Sequence, residues 1–233
     1  MQIYQPINGY AYNSDTLFLY DFARSFLKPG NRVLEIGAGS GVLGLLCARD
    51  VEIKLVMVEK MREMAIYLRE NIRVNAICAE VLECDFLSLS AESCPSFDVA
   101  LSNPPFYHKE VLKSENPSLY AARYEENLPF KELLGQLKRF LKPRGIFVFC
   151  FDSKQSDRVF YELKNQGFNA EYARFVHPRS NKEATLVMIQ ARLGSKSVLK
   201  ILPPLFVYAE KEHTSEVRAI FKRAGTHSIK CAL

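Results

Sequence analysis

Residues 33–41 of this 233-residue chain, Val33-Leu34-Glu35-Ile36-Gly37-Ala38-Gly39-Ser40-Gly41, carry the strongest indication of its fold. An apolar run leads into closely spaced glycines, which predicts a buried strand, a tight turn and then a helix. Glycine permits the positive φ that such a turn requires and lets the backbone approach a ligand. We read the spacing as G-x-G-x-G rather than the G-x-G-x-x-G of dinucleotide sites, in which a pyrophosphate rests on the helix.

Outward from this stretch, short β-branched runs alternate with helical patterns. That alternation indicates βαβ units and a mainly parallel sheet, hence an α/β fold. The predicted strands are 32–36, 54–58, 80–83, 97–101 and 145–151, with an antiparallel edge pair at 169–176 and 184–192. The predicted helices are 14–27, 41–49, 60–74, 129–141, 153–166 (ending at Gly167) and a short basic helix at 214–224.

Three acidic residues lie within these strands or close after them. A carboxylate at Glu35 would repel a pyrophosphate, but it can bind the amino acid ammonium of S-adenosylmethionine directly or through water. Glu59 ends the second predicted strand, where a carboxylate can accept both hydroxyls of a ribose. Asp85 follows the third strand at a height suited to an adenine amino group, and it is equally suited to cap a helix or loop. With Gly37, Gly39 and Gly41, these acids form the predicted cofactor site.

The tetrapeptide Asn103-Pro104-Pro105-Phe106 follows the apolar run 97–101. Each proline fixes its own φ and pushes the preceding residue to extended geometry, which predicts a stiff loop at a strand end. The Asn103 oxygen and the Pro104 carbonyl can accept the two hydrogens of a planar NH2 group, while Phe106 stacks on its face. Asn103 is also predicted to contact the cofactor. The other interpretation is a proline-stiffened turn with Phe106 in the core.

Composition limits the class of protein. With 48% hydrophobic residues the chain can bury a full core, and no apolar stretch approaches the length of a membrane span. We expect a soluble, cytoplasmic protein. The six cysteines are scattered without metal-ligand spacing, so we expect reduced thiols, mostly in the core, and neither a zinc site nor a disulfide framework.

The charge is unevenly distributed along the chain. Residues 1–100 carry a net charge of −4 and residues 101–173 a net of +2, whereas residues 174–233 carry 11 Lys/Arg against 4 Asp/Glu, a net of +7. A basic C-terminal quarter on an acidic core favours nucleic-acid binding, the other interpretation being a solvated charged face.

Residues 30–192 resemble the class I S-adenosylmethionine-dependent methyltransferases, in the amino-methylating branch with an Asn-Pro-Pro-Tyr/Phe loop. The resemblance implies S-adenosylmethionine as cofactor and a Rossmann-like, seven-stranded mixed sheet with the last strand antiparallel and helices on both faces. It also implies that Asn103, Pro104 and Phe106 are catalytic.

Flanking segments resemble a narrower group, the tRNA (adenine-N6)-methyltransferases that modify an adenine beside the anticodon of a valine tRNA. The similar segments are Gln5-Pro6-x-x-Gly9-Tyr10, Asn13-Ser14-Asp15-Thr16, Ala122-Arg123-Tyr124-Glu125, Phe175-Val176-His177-Pro178-Arg179-Ser180 with Glu183-Ala184, and Leu202-Pro203-Pro204-Leu205-Phe206-Val207-Tyr208. In one departure, His213-Thr214-Ser215-Glu216 stands where the group tends to have Tyr-Thr-x-Glu. The resemblance implies a tRNA or other structured RNA as partner.

Further residues are predicted to contact this substrate: Phe106, Tyr107, Arg123, His177 and Arg179, with Lys182 a weaker candidate. His108 is interpreted as a histidine at the pocket rim rather than a general base. We expect one domain over 1–233, made of an N-terminal pocket-flanking segment (1–29), a catalytic core (30–192) and a basic C-terminal extension (193–233).

Alternative functions keep the same fold. The Asn-Pro-Pro loop can orient a glutamine amide, as in release-factor (glutamine-N5) methyltransferases, although the approximately 30 residues before the first core strand leave no room for the N-terminal helical domain usual there. Guanine-N2 methylation of ribosomal RNA, adenine methylation of DNA and a non-catalytic RNA-binding module also remain open.

Overall fold

The architecture is a mixed β-sheet with helices on both faces, seen in a computed structural model that describes residues 1–8, 11–93, 96–106 and 125–233. In chain order the longer strands are β1 (Gln2–Pro6), β2 (Arg32–Ile36), β3 (Lys54–Glu59), β4 (Ala79–Glu83), β5 (Phe97–Ser102), β6 (Leu141–Asp152), β7 (Phe168–His177) and β8 (Leu186–Leu193). The helices are α1 (Ser14–Arg24), α2 (Val42–Asp50), α3 (Arg62–Val74), α4 (Phe130–Leu137), α5 (Ser156–Asn165) and α6 (Ser215–Ala224).

Seven long strands form the body of the sheet, in the order β7-β8-β6-β5-β2-β3-β4. The strands β4, β3, β2, β5 and β6 are parallel, and β8 runs antiparallel to both β6 and β7. This confirms the predicted mixed sheet and its antiparallel edge pair. The described chain adds two short strands, β9 (Lys200–Ile201) and β10 (Leu205–Phe206), each parallel to β7.

The first strand lies outside this sheet. It pairs in parallel with the last strand, β13 (His227–Cys231), from Gln2 opposite His227 to Pro6 opposite Cys231. A further two-residue pair, β11 (Tyr208–Ala209) with β12 (Glu212–His213), precedes α6. The C-terminal extension therefore folds back onto the N-terminal segment rather than forming a separate tail.

Alternation along the strands places a core on each face of the sheet. In β2, Val33 joins the cluster under α1, α2 and α6, whereas Leu34 and Ile36 join the cluster under α4 and α5. Glu35 shares the face of Val33, because successive strand residues point to opposite sides. The only acid within β2 is thus directed at α2.

Local signals explain several of the helix boundaries. Asn13 caps α1 by accepting the Asp15 N–H, and Thr214 caps α6 by accepting the Val217 N–H. Gly225 ends α6 with φ +54°, and Gly167 follows α5 with φ +82°. Both glycines fill the left-handed position that commonly terminates a helix.

Some predicted helices ran too far at their C-terminal ends. The helix predicted at 14–27 ends at Arg24. We expected 129–141, but α4 ends at Leu137, and Leu141 already begins β6. The Phe140 carbonyl accepts the Phe97 N–H, so this buried residue belongs to the approach to the sheet. Strand β6 correspondingly starts four residues before the predicted 145. Apolar residues of a helix end and of the next strand cannot be separated by periodicity alone.

The structure shows where the described cysteines lie and whether the described residues include a group of metal ligands or a membrane-spanning helix. Cys47 and Cys150 are buried, while Cys78, Cys84 and Cys231 are not, so only two of these five described cysteines lie in the core. Within the described ranges, no three potential metal-ligating side chains are grouped around a possible ion site. In the same part of the chain, no helix has the length and apolar character needed to traverse a bilayer.

Candidate cofactor and acceptor site

A cleft opens at the carboxyl ends of the parallel strands β4, β3, β2 and β5. Its lining includes six of the predicted residues: Glu35, Gly37, Gly39, Glu59, Asp85 and Asn103. In open α/β sheets this edge is where ligands bind, because loops and helix N-termini meet there. The structure therefore brings together side chains that lie up to 68 positions apart in the sequence.

Glu35 is almost completely enclosed, with 3% of its surface exposed. Its Oε2 accepts the Gly44 N–H of α2 at 3.1 Å. Burial raises the pKa of Glu35 to about 8; the Gly44 N–H opposes the shift and the nearby Glu59 adds to it. A buried carboxyl with a raised pKa at the rim of a cleft is suited to a cationic ligand, whose charge would compensate for the lost solvation.

Glu59 holds two backbone groups at the end of β3. Its Oε2 accepts the Gly39 N–H and its Oε1 accepts the Met61 N–H, both at 2.7 Å. Burial raises the pKa of this carboxyl as well, against the effect of these donors. The carboxylate thereby fixes the glycine loop and the start of α3, and it lines the cleft with acceptor capacity left over.

Asp85 both lines the cleft and caps a turn. Its Oδ1 accepts the Leu87 N–H at 2.9 Å, and its Oδ2 lies 2.7 Å from the Lys60 ammonium. Burial alone would raise the pKa of Asp85, but the Lys60 and Leu87 donors hold it below its ordinary value. The two interpretations of this residue from the sequence are therefore compatible.

The glycines divide into two roles. Gly37 and Gly39 have φ of +68° and +57° and line the cleft. Gly41, which we predicted to bind cofactor, lies outside the described lining of the cleft, and its contact with the cofactor stays a prediction. It is the N-cap of α2 at φ +85°, and a Cβ there would lie 2.4 Å from Leu68. Gly41 therefore allows the turn to pack closely against Leu68 of α3.

Gly44 was missed by the sequence analysis. A Cβ at this position would lie 2.3 Å from Glu35 Oε2, so only glycine allows the carboxylate to sit against α2. The signal was present, because Gly39, Gly41 and Gly44 follow G-x-G-x-x-G. Reading the loop as G-x-G-x-G was incomplete.

Asn103 follows β5 and lines the cleft together with Pro105. Its Nδ2 donates to Thr16 Oγ1 at 3.3 Å, and its Oδ1 accepts from Cys150 Sγ at 3.0 Å. Pro104 is buried. The amide is therefore held at the cleft by groups from α1 and β6, and no local sequence pattern indicates these contacts.

Phe106 is half-buried and packs against Phe151, with ring centroids 5.6 Å apart. Its carbonyl oxygen accepts the Gln155 side-chain N–H at 2.9 Å. The described lining of the cleft does not include the ring. Its stacking on a substrate stays a prediction, and the packing against Phe151 is what the core interpretation expected.

The opening segment reaches the cleft through Tyr12 and Thr16. Gln5 is buried and accepts the Tyr12 N–H at 2.8 Å, and the Tyr12 hydroxyl donates to Thr226 Oγ1 at 2.8 Å. Buried Asn71 of α3 exchanges hydrogen bonds with the Tyr4 backbone and donates to the Ser40 carbonyl in the glycine loop. These contacts join residues remote in sequence, so no local pattern indicated them.

The remaining predicted substrate residues lie elsewhere. Arg179 lines a separate groove with Lys154 and Lys182. His177 donates from Nδ1 to the Lys182 carbonyl at 2.9 Å and packs on Phe206, so it shapes the loop beside that groove. Tyr107, His108 and Arg123 fall outside the described residues.

Comparison with known proteins agrees with this geometry. The methyltransferase small domain family matches residues 14–162, and the chain belongs to this family. It is a class I S-adenosylmethionine-dependent methyltransferase, and S-adenosylmethionine is its cofactor.

Individual relatives are more distant. The chain is 26% identical over 194 residues to the tRNA1(Val) (adenine(37)-N6)-methyltransferase of Dyadobacter fermentans, covering 82% of this chain and 80% of that protein. It is 24% identical over 174 residues to the release factor glutamine methyltransferase of Clostridium acetobutylicum, covering 66% and 59% respectively. A crystal structure of a predicted O-methyltransferase from Agrobacterium tumefaciens superposes with a TM-score of 0.71 at 17% identity, covering 93% of this chain and all of the other, which shows a shared fold.

Proposed function

We propose that this enzyme methylates N6 of an adenine in RNA, specifically an anticodon-loop adenine of a valine tRNA. The observation that carries the proposal is the Asn103 amide, fixed at the mouth of a cleft whose neighbouring strand ends carry Glu35, Glu59 and Asp85. Similarity to the Dyadobacter fermentans enzyme over four fifths of both chains supports the choice of tRNA.

We propose cofactor contacts for three carboxylates, of which Glu35 and Glu59 are buried and Asp85 is partly exposed. Glu35 binds the ammonium of the cofactor, because it is enclosed and its other neighbours leave its charge uncompensated. Glu59 accepts the ribose hydroxyls, and Asp85 accepts the adenine amino group beside its turn. Gly37 and Gly39 provide the close backbone approach. S-adenosylmethionine supplies an activated methyl group on a sulfonium centre.

Asn103 and Pro104 act on the acceptor nitrogen. The lone pair of N6 is delocalised into the ring, so the amine is a poor nucleophile. Hydrogen bonds from N6 to the Asn103 oxygen and the Pro104 carbonyl draw the nitrogen toward tetrahedral geometry and localise that pair. These bonds strengthen as positive charge develops on N6, which favours the transition state over the ground state. As the N–C bond forms and the C–S bond breaks, N6 becomes acidic and releases a proton through Asn103 to water.

The groove that contains Arg179 is lined by basic side chains suited to RNA phosphates. Lys154, Arg179 and Lys182 are exposed and line this groove, and none of the ion pairs among the described residues involves them. The groove lies past the end of β6 and before β8, at the same edge of the sheet as the cleft. Gln155, next to Lys154, donates to the Phe106 carbonyl. The turn at residues 154–155 therefore contacts both the groove and the loop 103–106, which we call the acceptor loop. We propose that phosphates flanking the target adenine lie here.

The proposal is tested with purified protein, radiolabelled S-adenosylmethionine and four acceptor pools: total tRNA, total ribosomal RNA, DNA and release factor. Nucleoside digestion of the labelled pool then identifies the product. We expect N6-methyladenosine from tRNA. Label confined to another pool, or another modified base, would overturn the assignment of substrate.

Substitution of Asn103 tests the mechanism. Asn103→Ala should leave cofactor affinity nearly unchanged and lower the single-turnover rate by about two orders of magnitude or more, since it removes a transition-state contact. Asn165→Ala, on the exposed end of α5, is the control and should retain the full rate. An unchanged rate in Asn103→Ala would remove this residue from the chemistry.

The second candidate is methylation of a glutamine side-chain amide. The similarity to the Clostridium acetobutylicum enzyme favours it, and the same amide and carbonyl acceptors suit a carboxamide NH2. The release-factor arm of the experiment decides between the two.

A further inference from the structure

The Asn103 side chain is held from both sides by residues on other elements. Cys150 of β6 lies next to it, because Ser102 and Phe149 are register partners across β5 and β6. The Cys150 thiol donates to Asn103 Oδ1 at 3.0 Å, while Asn103 Nδ2 donates to Thr16 Oγ1, in the first turn of α1, at 3.3 Å. Both polar ends of the amide are therefore engaged.

The Cys150 contact selects one of two orientations of the amide, and the Thr16 hydroxyl, which can accept or donate, anchors the other end. Rotation by 180° would exchange the oxygen and the NH2 group, which differ in hydrogen-bonding role but hardly in shape. The Cys150 thiol is fully buried, and burial raises its pKa well above the ordinary value, so it keeps its proton. A protonated thiol is a hydrogen-bond donor and only a weak acceptor, so it favours the amide oxygen over the NH2 group.

We propose that Cys150 and Thr16 are positioning residues that keep the Asn103 oxygen, and not its NH2 group, in the orientation needed to receive the substrate amine. The proposal rests on the proposed catalytic role of Asn103. An oxygen has a second lone pair, so the thiol can hold it while the amine donates to it. In the rotated orientation, the amide NH2 would face the hydrogens of the amine.

Because these contacts are made by the protein itself, the Asn103 amide is preorganised for the reaction. An amide that is already oriented needs no rearrangement as charge develops on the acceptor nitrogen, so the contact acts fully in the transition state. Losing the thiol donor would lower the methyl-transfer rate and leave the binding of S-adenosylmethionine unchanged.

Two substitutions separate this role from packing. Cys150→Ser keeps a donor in a smaller, more polar side chain, whereas Cys150→Val fills the space without one. We expect a single-turnover rate within about threefold of wild type for Cys150→Ser and a loss of about tenfold for Cys150→Val, with cofactor affinity unchanged in both. A packing role predicts the reverse order, since valine is the better core residue. Wild-type rate in Cys150→Val would overturn the proposal.

A double-mutant cycle measures the coupling directly. In an Asn103→Ala background, Cys150→Val should cause no further loss of rate, because there is no amide left to orient. An additive loss would show that Cys150 acts independently of Asn103. Cys47→Val and Cys47→Ser, at the other buried thiol, are matched controls and should retain the full rate.

Thr16 provides an independent pair if the Cys150 variants do not fold. Thr16→Ser keeps the hydroxyl and Thr16→Val removes it at similar volume, so only Thr16→Val should lose methyl transfer, by about the same factor. Equal rates in the two variants would contradict the proposal. If Asn103→Ala itself keeps the wild-type rate, the proposed function of that residue fails; if Asn103→Ala is inactive while Cys150→Val and Thr16→Val are not, only the positioning role fails.

Discussion

For single residues, Glu35 shows that a position in the sequence does not reveal the protonation state of a side chain. An acid at this point of the glycine loop predicted a contact with the cofactor, but its protonation depends on enclosure by α2. With a pKa of about 8, this carboxyl is largely neutral at pH 7 in the absence of a ligand. Binding of an ammonium group would favour the ionised form, so cofactor binding and loss of a proton are linked.

Linkage makes the stability of the cofactor-free enzyme dependent on pH. In the unfolded chain Glu35 ionises near its ordinary pKa of 4.5, whereas in the folded state it stays protonated up to about 8. The folded state therefore binds more protons between these values, and the free energy of unfolding should fall as pH rises from about 4.5 to 8, by an amount on the order of a few kcal/mol. Urea denaturation across this range measures the effect.

Glu35→Gln is the matched control, because glutamine keeps the shape and the acceptor for Gly44 but cannot ionise. Its stability should decline less steeply over the same range, with the remaining slope owed partly to Glu59, whose pKa is also raised. Identical profiles for the two proteins would refute the buried, neutral carboxyl.

The placement of residues at the cleft was predictable where the signal is local. Glu35, Glu59 and Asn103 each sit in or directly after an apolar strand, and a parallel sheet brings such positions together. Thr16 and Cys150 contact Asn103 across 87 and 47 positions of sequence. Contacts of that kind depend on strand order and register, which a single sequence does not specify.

At the scale of elements, helix α2 owes its position to a glycine. Gly44 lets the helix lie against β2 with the Glu35 carboxylate between them. The helix itself was predicted from its apolar pattern and the preceding glycines, but this close approach was not. Helix ends were also less accurate than helix cores, as α4 shows by ending at Leu137, because neighbouring apolar residues serve the next strand.

Gly44→Ala should therefore weaken cofactor binding by about tenfold or more, since the new methyl group would displace the Glu35 carboxylate. Titration of the cofactor measures this change. Gly135→Ala is the matched control: it is also a helical glycine, but its Cβ would approach no atom closer than 3.8 Å. We expect unchanged affinity there, and a small gain in stability of about 0.5–1 kcal/mol. Equal affinities for the two variants would show that Gly44 has no such role.

At the scale of the whole molecule, the charge distribution has a structural counterpart. The basic C-terminal quarter was predicted to bind nucleic acid, and part of it, Arg179 and Lys182, meets Lys154 in the groove beside the acceptor loop. Other cations of that region are used within the protein, such as Arg192 with Glu171 and Arg223 with Asp21. Net charge alone could not distinguish these uses.

RNA affinity should fall as salt concentration rises, with a log–log slope of about 0.7 for each single-stranded phosphate contact. Replacing Lys154, Arg179 and Lys182 by alanine should reduce that slope by up to about 2. The control variant replaces Lys28, Lys54 and Lys196, which are exposed at the opposite edge of the sheet. Binding isotherms at several salt concentrations measure the slopes. Equal slopes in the two triple variants would show that the groove cations make no phosphate contacts and are ordinary solvated surface residues.

The pairing of the first and last strands has a consequence for the cofactor loop. Strand β13 supports β1 through its ladder, β1 is bonded at Tyr4 to Asn71, and Asn71 reaches the Ser40 carbonyl. An unbroken chain of hydrogen bonds thus runs from the terminal strand to the glycines. The described lining of the cleft includes none of the residues 227–231. This chain of bonds nevertheless connects them to the glycine loop, so we expect substitutions there to weaken retention of the cofactor.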